Sequence, residues 1–347
     1  MDSPKVIVGA GGAAWWILQG FSRNSLSIDG FVVTKEYGIS ETCGYRVYSP
    51  STWDELPHKR SEYVAIIGIM NPEIDIEKIE IDLKSQGWGE VVFFSEFAAR
   101  ILSESNINCS MLDPTIIHAD RDIIQSLRDL FVDRESKECL EYFLDYGQKF
   151  IDNDNLIAAN PYFVHSLPRW KSPLRILDCG AFDGDTIRKA AENGYAVEEA
   201  ICFEPDFTNF EKLVSNTNSN EKRINLPVAV GSKVETLAFS AQSSSGSQIV
   251  EGAGIPIQSI SIDSSFINWN PNLIKMDIEG SEFQALKGAE ATIRNARPNL
   301  AISIYHKSSD IVQIPLWLKA VLGNNVRFYL RRHSRTVADT VLYVFPE

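Results

Sequence analysis

At 347 residues, with 44% hydrophobic and 23% charged side chains, the chain has material for two hydrophobic cores at about 100–200 residues per domain. A formal charge of −13 is repelled by phosphate backbones and by anionic lipid, so no nucleic-acid partner and no membrane-surface partner is expected. The five cysteines show no C-x-x-C spacing, the N-terminus has no secretory pattern, and no apolar run approaches the roughly 18–20 residues that span a bilayer. A cytoplasmic protein without membrane insertion is the expectation.

In chain order, Lys5 to Val8 predicts a short buried strand that runs into Gly9-Ala10-Gly11-Gly12-Ala13-Ala14, with a helical pattern from Trp15 to about Phe21. Strand, glycine turn and helix form the opening of a Rossmann-like nucleotide fold. Asp29 lies about 20 residues beyond the turn, where a dinucleotide site places its ribose acid, and Ile28 to Val33 reads as the second strand. Tyr63–Met70 and Val91–Phe94 read as further strands, with an acidic helix over Ile74–Gln86 between them. Residues 1–105 therefore read as a small parallel α/β domain. Ala14, Trp15 and Trp16 fit a nucleotide poorly, so a turn kept for helix–strand packing stands beside a working site. The segment weakly resembles the nucleotide-sugar-binding-like half domain found ahead of some sugar-modifying enzymes.

Residues 106–170 turn helical, with Ile123, Ile124, Leu127, Leu130 and Phe131 and then Leu140, Phe143 and Leu144 at three- and four-residue steps. They read as a helical connector. Asn160-Pro161-Tyr162-Phe163 breaks the pattern, which makes Tyr162 and Phe163 candidates for substrate contact.

Residues 171–347 carry the chemistry. The strand Arg175–Leu177 delivers Asp178, Gly180, Ala181, Asp183, Gly184 and Thr186 in quick succession. Glycines allow a sharp turn and close backbone approach, and Thr186 can position the helix that follows. Carboxylates in the turn repel a pyrophosphate and attract a cation, which points to the ammonium and sulfonium of S-adenosyl-L-methionine. The next strand, Ala200–Phe203, ends at Glu204-Pro205-Asp206, where an acid can accept both ribose hydroxyls of an adenosine. A third strand, Ile224–Val230, brings Ala229 to the place where backbone could flank adenine. Ser243–Ser247 reads as a flexible tip between strand-like flanks.

A fourth strand ends in Asp277 and Glu279, and Ser281 with Gln284 predicts a capping box for a helix reaching about Ala296. A fifth strand, Leu300–Tyr305, ends at His306. In an open parallel sheet these carboxyl ends share one crevice. His306, Asp277 and Glu279 are the candidate catalytic residues, with His306 the candidate base because its ordinary pKa lies near neutrality. Asp277 and Glu279 could instead hold the cofactor's amino group or a divalent metal, although no third acid of obvious spacing completes a metal set, and none is assigned. An amphipathic helix over about 311–322 precedes two closing antiparallel strands, Val326–Leu330 and Thr340–Phe345. Arg327, Arg331, Arg332, His333 and Arg335 cluster between them, either as a solvated hairpin or as an anion site for the acceptor.

The runs DCGAFDGDT, FEPD, LIKMDIEGSEFQALKGAE and LAISIYH, in that order, resemble the FkbM-type S-adenosylmethionine-dependent methyltransferases over about residues 162–347. The resemblance implies a seven-stranded methyltransferase sheet and O-methylation of a hydroxyl on a sugar, polysaccharide precursor or secondary metabolite. It also implies cofactor contacts from Asp178, Gly180, Asp183 and Glu204, with Asp277, Glu279 and His306 at the reacting end. A small-molecule or glycan acceptor is the expected partner, and a homo-oligomer stays open. The alternatives are an NAD(P)-dependent oxidoreductase or a nucleotide-sugar-binding protein that uses the N-terminal domain, and a non-catalytic scaffold with a vestigial pocket.

Overall fold

The structure, a computed structural model, describes residues 3–11, 17–18, 21–22, 25–69, 74–94, 96–97, 120–144, 157–218, 222–240, 248–249, 254–307, 309–334 and 339–347. The chain forms two compact units, one built mainly from residues 1–117 and the other mainly from 118–141, 155–333 and 337–347. The serine tip at 243–247, Arg335 and the segment from Gly12 to Trp16 lie outside the described residues.

In the first unit six strands, β1 (Lys5–Val8), β2 (Gly30–Val32), β3 (Glu41–Thr42), β4 (Tyr45–Tyr48), β5 (Val64–Ile67) and β6 (Glu90–Phe93), line up in the order β3-β4-β2-β1-β5-β6. All neighbours are parallel except the short β3–β4 pair. The apolar runs KVIV and VAII are buried on both faces, as central parallel strands require. One face packs Ile7, Phe31 and Ile66 against Ile17 and Phe21, and the other packs Val6, Val32 and Ala65 against Trp53, Leu83 and Trp88. Leu83 comes from helix α1 (Ile76–Ser85), whose first turn Asp75 caps by accepting the Lys78 N–H.

Two helices expected from periodicity, α2 (Arg121–Leu130) and α3 (Arg134–Leu144), follow. The second unit is then laid down as β7 (Leu174–Cys179), α4 (Asp185–Glu192), β8 (Val197–Phe203), α5 (Phe207–Ser215), β9 (Arg223–Leu226), β10 (Ala229–Val230), β11 (Glu235–Ser240), β12 (Gln248–Ile249), β13 (Ile255–Ile260), α6 (Ile262–Ser265), β14 (Leu273–Met276), α7 (Glu282–Lys287), α8 (Glu290–Ala296), β15 (Asn299–Ser303), α9 (Asp310–Leu322), β16 (Val326–Arg332) and β17 (Thr340–Pro346). Its main sheet runs β16-β17-β15-β14-β7-β8-β9. The five strands from β15 to β9 are parallel and the closing pair is antiparallel, as the sequence predicts. A smaller sheet, β10-β13-β11-β12, holds the strand-like flanks expected on either side of the serine tip.

Two local expectations change. Ser281 makes no side-chain cap, and the long helix divides into α7 and α8. The break falls at Gly288, where a Cβ would stand 2.1 Å from the Gly231 carbonyl oxygen, so close backbone approach sets it. Arg331 and Arg332 are not part of a solvated hairpin either, because they belong to β16 and are 1% and 2% exposed. Among the described residues no helix is long and apolar enough to cross a membrane.

Candidate active site

Strand β7 ends in a turn that only glycine can make. Gly180 has φ +80°, and a Cβ there would lie 1.9 Å from the Asp277 carbonyl oxygen, so the ends of β7 and β14 touch at this point. The Gly180 and Ala181 N–H groups both donate to the Phe203 carbonyl at 3.0 Å, which ties the turn to the end of β8. Gly184, at φ +85°, starts α4.

Beneath the turn Asp178 Oδ1 lies 3.2 Å from Lys275 Nζ, with both side chains almost wholly buried. Burial pushes the Asp178 carboxyl upward against the pull of Lys275. Burial also works to lower the Lys275 ammonium, yet Asp178, Asp277 and Asp185 hold it above its ordinary range. Lys275 further donates to the Gly180 carbonyl. Asp178 is therefore a support under the turn, which corrects its expected role in touching the cofactor directly.

Above the turn a cavity of about 250 Å³ opens at the carboxyl ends of β7, β8, β10 and β14. Its polar wall holds Asp185, Glu204, Asn209, Lys275, Asp277, Glu279 and Ser281, and its apolar wall holds Phe182, Phe203, Pro205, Ala229, Val230 and Phe239. Glu204 Oε2 accepts the Phe182 N–H and Oε1 accepts the Asp206 N–H, each at 2.9 Å. Burial pushes its carboxyl up to about 7 against those two hydrogen bonds. Asp206 caps α5 by accepting the Asn209 N–H at 3.0 Å.

At the other end of the cavity, Asp277 Oδ2 accepts the Tyr162 hydroxyl at 2.8 Å. Burial works to raise the Asp277 carboxyl, but His306, Lys275 and the Tyr162 hydrogen bond hold it below the ordinary range. The Glu279 carboxyl is pushed up to about 8, chiefly by burial and by the charges of Asp277 and Glu282, against the pull of His306. The backbone at Glu279 has φ +53°, an uncommon conformation for a non-glycine residue and one that clusters at functional sites.

His306 sits behind this pair and is not part of the cavity wall. Its Nε2 lies 3.6 Å from Asp277 Oδ1 and 3.4 Å from Glu279 Oε2, and its Nδ1 lies 2.9 Å from Glu282 Oε1. Burial works to lower the imidazole, yet Glu282, Glu279 and Asp277 raise it to about 10. A ring held protonated has no lone pair to accept a proton at neutral pH, which corrects the expectation that His306 is the base. Glu282, with its side chain fully buried, also accepts the Ile278 N–H at 2.8 Å.

The remaining site candidates divide. Tyr162 lines the cavity, whereas Phe163 turns away and packs on Tyr195 with ring centroids 5.5 Å apart. Asp183 pairs with Arg188 at 2.9 Å, and Thr186 is buried within α4, so neither reaches the cavity wall. Gly180, Pro205 and Ala229 do reach it, while Ala181 is buried and Gly184 contributes only the turn.

Arg331 is spent inside the fold. Its Nη2 lies 2.6 Å from Asp133 and 3.1 Å from Glu135, and its Nη1 donates to the Ser136 hydroxyl at 2.9 Å. Arg332 is buried too, so the alternative reading of these two residues as an anion site for the acceptor is not met. His333 Nδ1 lies 2.6 Å from the Ala158 carbonyl, and its Nε2 lies 2.9 Å from the Tyr343 hydroxyl, which accepts the Tyr162 N–H at 2.9 Å. With burial holding its pKa down at about 4, His333 is a neutral strut that positions Tyr162 instead of touching substrate.

Asp185, Lys275 and Glu282 were missed in the sequence reading. Asp185 stands in the acidic turn, and Lys275 and Glu282 flank the two acids of the fourth strand. A lysine within a buried parallel strand was the available signal, since such a charge needs a buried partner.

In the first unit Gly9 ends β1, but Asp29 precedes β2 and its N–H donates to the Lys5 carbonyl. That is the amino end of the sheet. Its carboxylate accepts the Tyr63 hydroxyl at 2.7 Å. Asp29 is therefore not the ribose acid of a dinucleotide site, which corrects that expectation.

The strand order of the main sheet and its cavity at the carboxyl ends define an α/β methyltransferase fold. Residues 178–334, just under half of the chain, match the family model described as the methyltransferase FkbM domain. Among solved structures, methyltransferase FkbM from Methylobacillus flagellatus KT is similar over 99% of this chain and 90% of its own, with 22% identity and a TM-score of 0.71, a likeness of fold across both units. Two more distant matches are a fibrillarin/Nop5p complex (14% identity, 52% of this chain and 76% of that one, TM-score 0.30) and the S-adenosylhomocysteine-bound methyltransferase PaMTH1 of Podospora anserina (10% identity, 65% and 94%, TM-score 0.30). No curated protein matches the sequence significantly.

Proposed function

We propose that the second unit transfers the methyl group of S-adenosyl-L-methionine to a hydroxyl oxygen of a small-molecule or glycan acceptor. The observation that carries this reading is Glu204 on the cavity wall. Both of its oxygens already hold loop N–H groups, and each keeps a lone pair for a ribose hydroxyl. Pro205, Ala229, Val230 and Phe239 supply apolar surface for an adenine. Asp185, Glu204, Asp277 and Glu279 face the cavity, and the one lysine on its wall is paired with Asp178. This excess of carboxylates favours a ligand with a sulfonium and an ammonium and disfavours a pyrophosphate.

When bound, the cofactor supplies an electrophilic methyl group. Its methyl would pass to the acceptor oxygen as the sulfur–methyl bond breaks and the electron pair stays on sulfur, and the acceptor's hydroxyl proton would have to leave. Asp277 and Glu279 are the groups at the reacting end that face the cavity, with side chains 29% and 21% exposed. The proton passes to this pair, and Glu279, once ionised above its raised pKa of about 8, is the acceptor that is not already bonded to Tyr162. His306 is a positioning residue behind them, and Tyr162 fixes the Asp277 carboxylate. Much of the acceleration then comes from holding the acceptor oxygen in line with the methyl group.

The test is transfer of labelled methyl from S-adenosyl-L-methionine to a panel of sugars, nucleotide-sugars and polyhydroxylated metabolites. Labelled product that Glu279→Gln reduces by about 10²-fold or more supports the reading. Failure of the chain to bind S-adenosylhomocysteine at all would remove it.

A further inference from the structure

The turn that carries Glu279 to the cavity is strained, and one buried side chain holds it. Glu279 and Gly280 are successive left-handed residues, at φ +53° and +91°, between β14 and α7. Such backbone at a non-glycine residue persists only where its surroundings over-determine it. Here Glu282, in the first turn of α7, reaches back, and its Oε1 accepts the Ile278 N–H at 2.8 Å. The same oxygen lies 2.9 Å from His306 Nδ1, with the two side chains 0% and 3% exposed. On the far side of the ring, Nε2 lies 3.4 Å from Glu279 Oε2 and 3.6 Å from Asp277 Oδ1. Tyr305 packs on the ring with centroids 4.0 Å apart, and the charge of His306 also reaches Asp310 at the start of α9 and Asp339 just before β17. The turn itself is packed here: a Cβ on Gly280 would stand 3.2 Å from Lys307 Cε and 3.7 Å from His306 Cβ.

We propose that Glu282 is a positioning residue for the reaction: its carboxylate holds the His306 ring as a cation directly behind Asp277 and Glu279, and it pins the turn that presents Glu279. This role rests on the methyl-transfer reading. The backbone alone does not account for a carboxylate at this position. A glutamine's amide oxygen would accept the Ile278 N–H equally well, and the buried Oε2 of Glu282 has no partner of its own. A buried carboxylate is costly unless a cation offsets it, and His306 is the cation that Glu282 meets. The ring in turn stands between Glu282 and the two cavity acids, so it favours the ionised form of the carboxylate that takes the acceptor's proton. With the turn and the ring both fixed, that carboxylate meets the acceptor hydroxyl in one orientation, and a displacement of about 1 Å from such a geometry can cost about 10²-fold in rate.

Glu282→Gln separates the charge from the backbone anchor. In the full-length chain carrying isotopically labelled histidine, an NMR titration of the His306 ring reads the charge, and its midpoint is expected to fall by about one pH unit or more in the variant. In the labelled-methyl assay kcat is expected to fall by about 10²-fold, while the acceptor KM and the affinity for S-adenosylhomocysteine stay within about threefold. A residue that served only the fold would leave the ring midpoint unmoved, or would weaken cofactor and acceptor binding together with kcat, and either result would overturn the proposal. If Glu282→Gln does not fold, the double variant Glu282→Gln/His306→Gln removes both charges of the buried pair at once, and its kcat, KM and affinity carry the comparison. Methyl transfer by the unaltered chain that the variants retain in full would remove this role for Glu282 and leave the methyl-transfer reading standing. An unaltered chain that binds no S-adenosylhomocysteine would remove both.

Discussion

The chain makes two strand-to-glycine turns, at Gly9 and at Gly180, and they differ in what surrounds them. At Gly180 the neighbouring strand ends in Glu204, the strand on the other side ends at Asp277, and a cavity lies above all three. At Gly9 the acid that seemed its counterpart, Asp29, stands at the amino end of β2 and is bonded to Tyr63. A glycine turn therefore marks a place where backbone can approach closely, and the acids at the carboxyl ends of the neighbouring strands decide whether a ligand is held there. A count of residues between turn and acid does not settle at which end of a strand the acid falls.

The sharpest way to break this contrast is at the turns themselves. Gly180→Ala would drive a Cβ into the backbone of β14, where nothing can move aside, and it should destabilise the chain by more than about 4 kcal/mol or prevent folding. Gly9→Ala meets the side chain of Ile69 at 2.8 Å, which can shift, and should cost about 1–3 kcal/mol for its positive φ of +106°. Denaturant unfolding that shows the two variants equally stable would contradict the difference.

Next in size is Lys275→Met. It leaves the Asp178 carboxyl buried without its cation and should cost about 3–5 kcal/mol, with S-adenosylhomocysteine binding weakened because the turn above loses its support. A variant of unaltered melting temperature would mean that Asp178 has another way to be satisfied.

A smaller effect separates the acid limb of the stability profile. His333 has its pKa lowered to about 4 in the folded chain, from an ordinary 6.5. Between those values the unfolded chain takes up a proton that the folded chain refuses, so stability is lost as pH falls from about 6.5 toward 4, by about 1–3 kcal/mol from this residue. His333→Gln should flatten that part of the profile in unfolding measured at pH 7, 6, 5 and 4. An unchanged slope would assign the acid sensitivity to other groups.

Much of the second unit was legible in the sequence because its information is periodic and local. Buried apolar runs located β7, β8, β14 and β15, and the acids that end the second and third of these brought Glu204, Asp277 and Glu279 to one edge without any knowledge of contacts. What stayed hidden depends on pairing across long sequence separations. Arg331 looked like a surface charge because Asp133, Glu135 and Ser136 lie about 200 positions earlier in the chain. His306 looked like a base because its ordinary pKa suits one, and only packing against Glu282, Glu279 and Asp277 reverses that. Asp178 looked like a ligand group because a strand-end acid reads the same whether it points into a cavity or beneath a turn.

The central claim is that the adenosyl site belongs to the second unit and is held by Glu204. Calorimetric titration of S-adenosylhomocysteine into the unaltered chain, Glu204→Ala and Asp29→Ala tests it most directly. The account predicts one site per chain, affinity lowered by about 10–100-fold in Glu204→Ala through the loss of charged hydrogen bonds, and no change in Asp29→Ala. Binding that survives Glu204→Ala intact, or that is lost in Asp29→Ala, would contradict it.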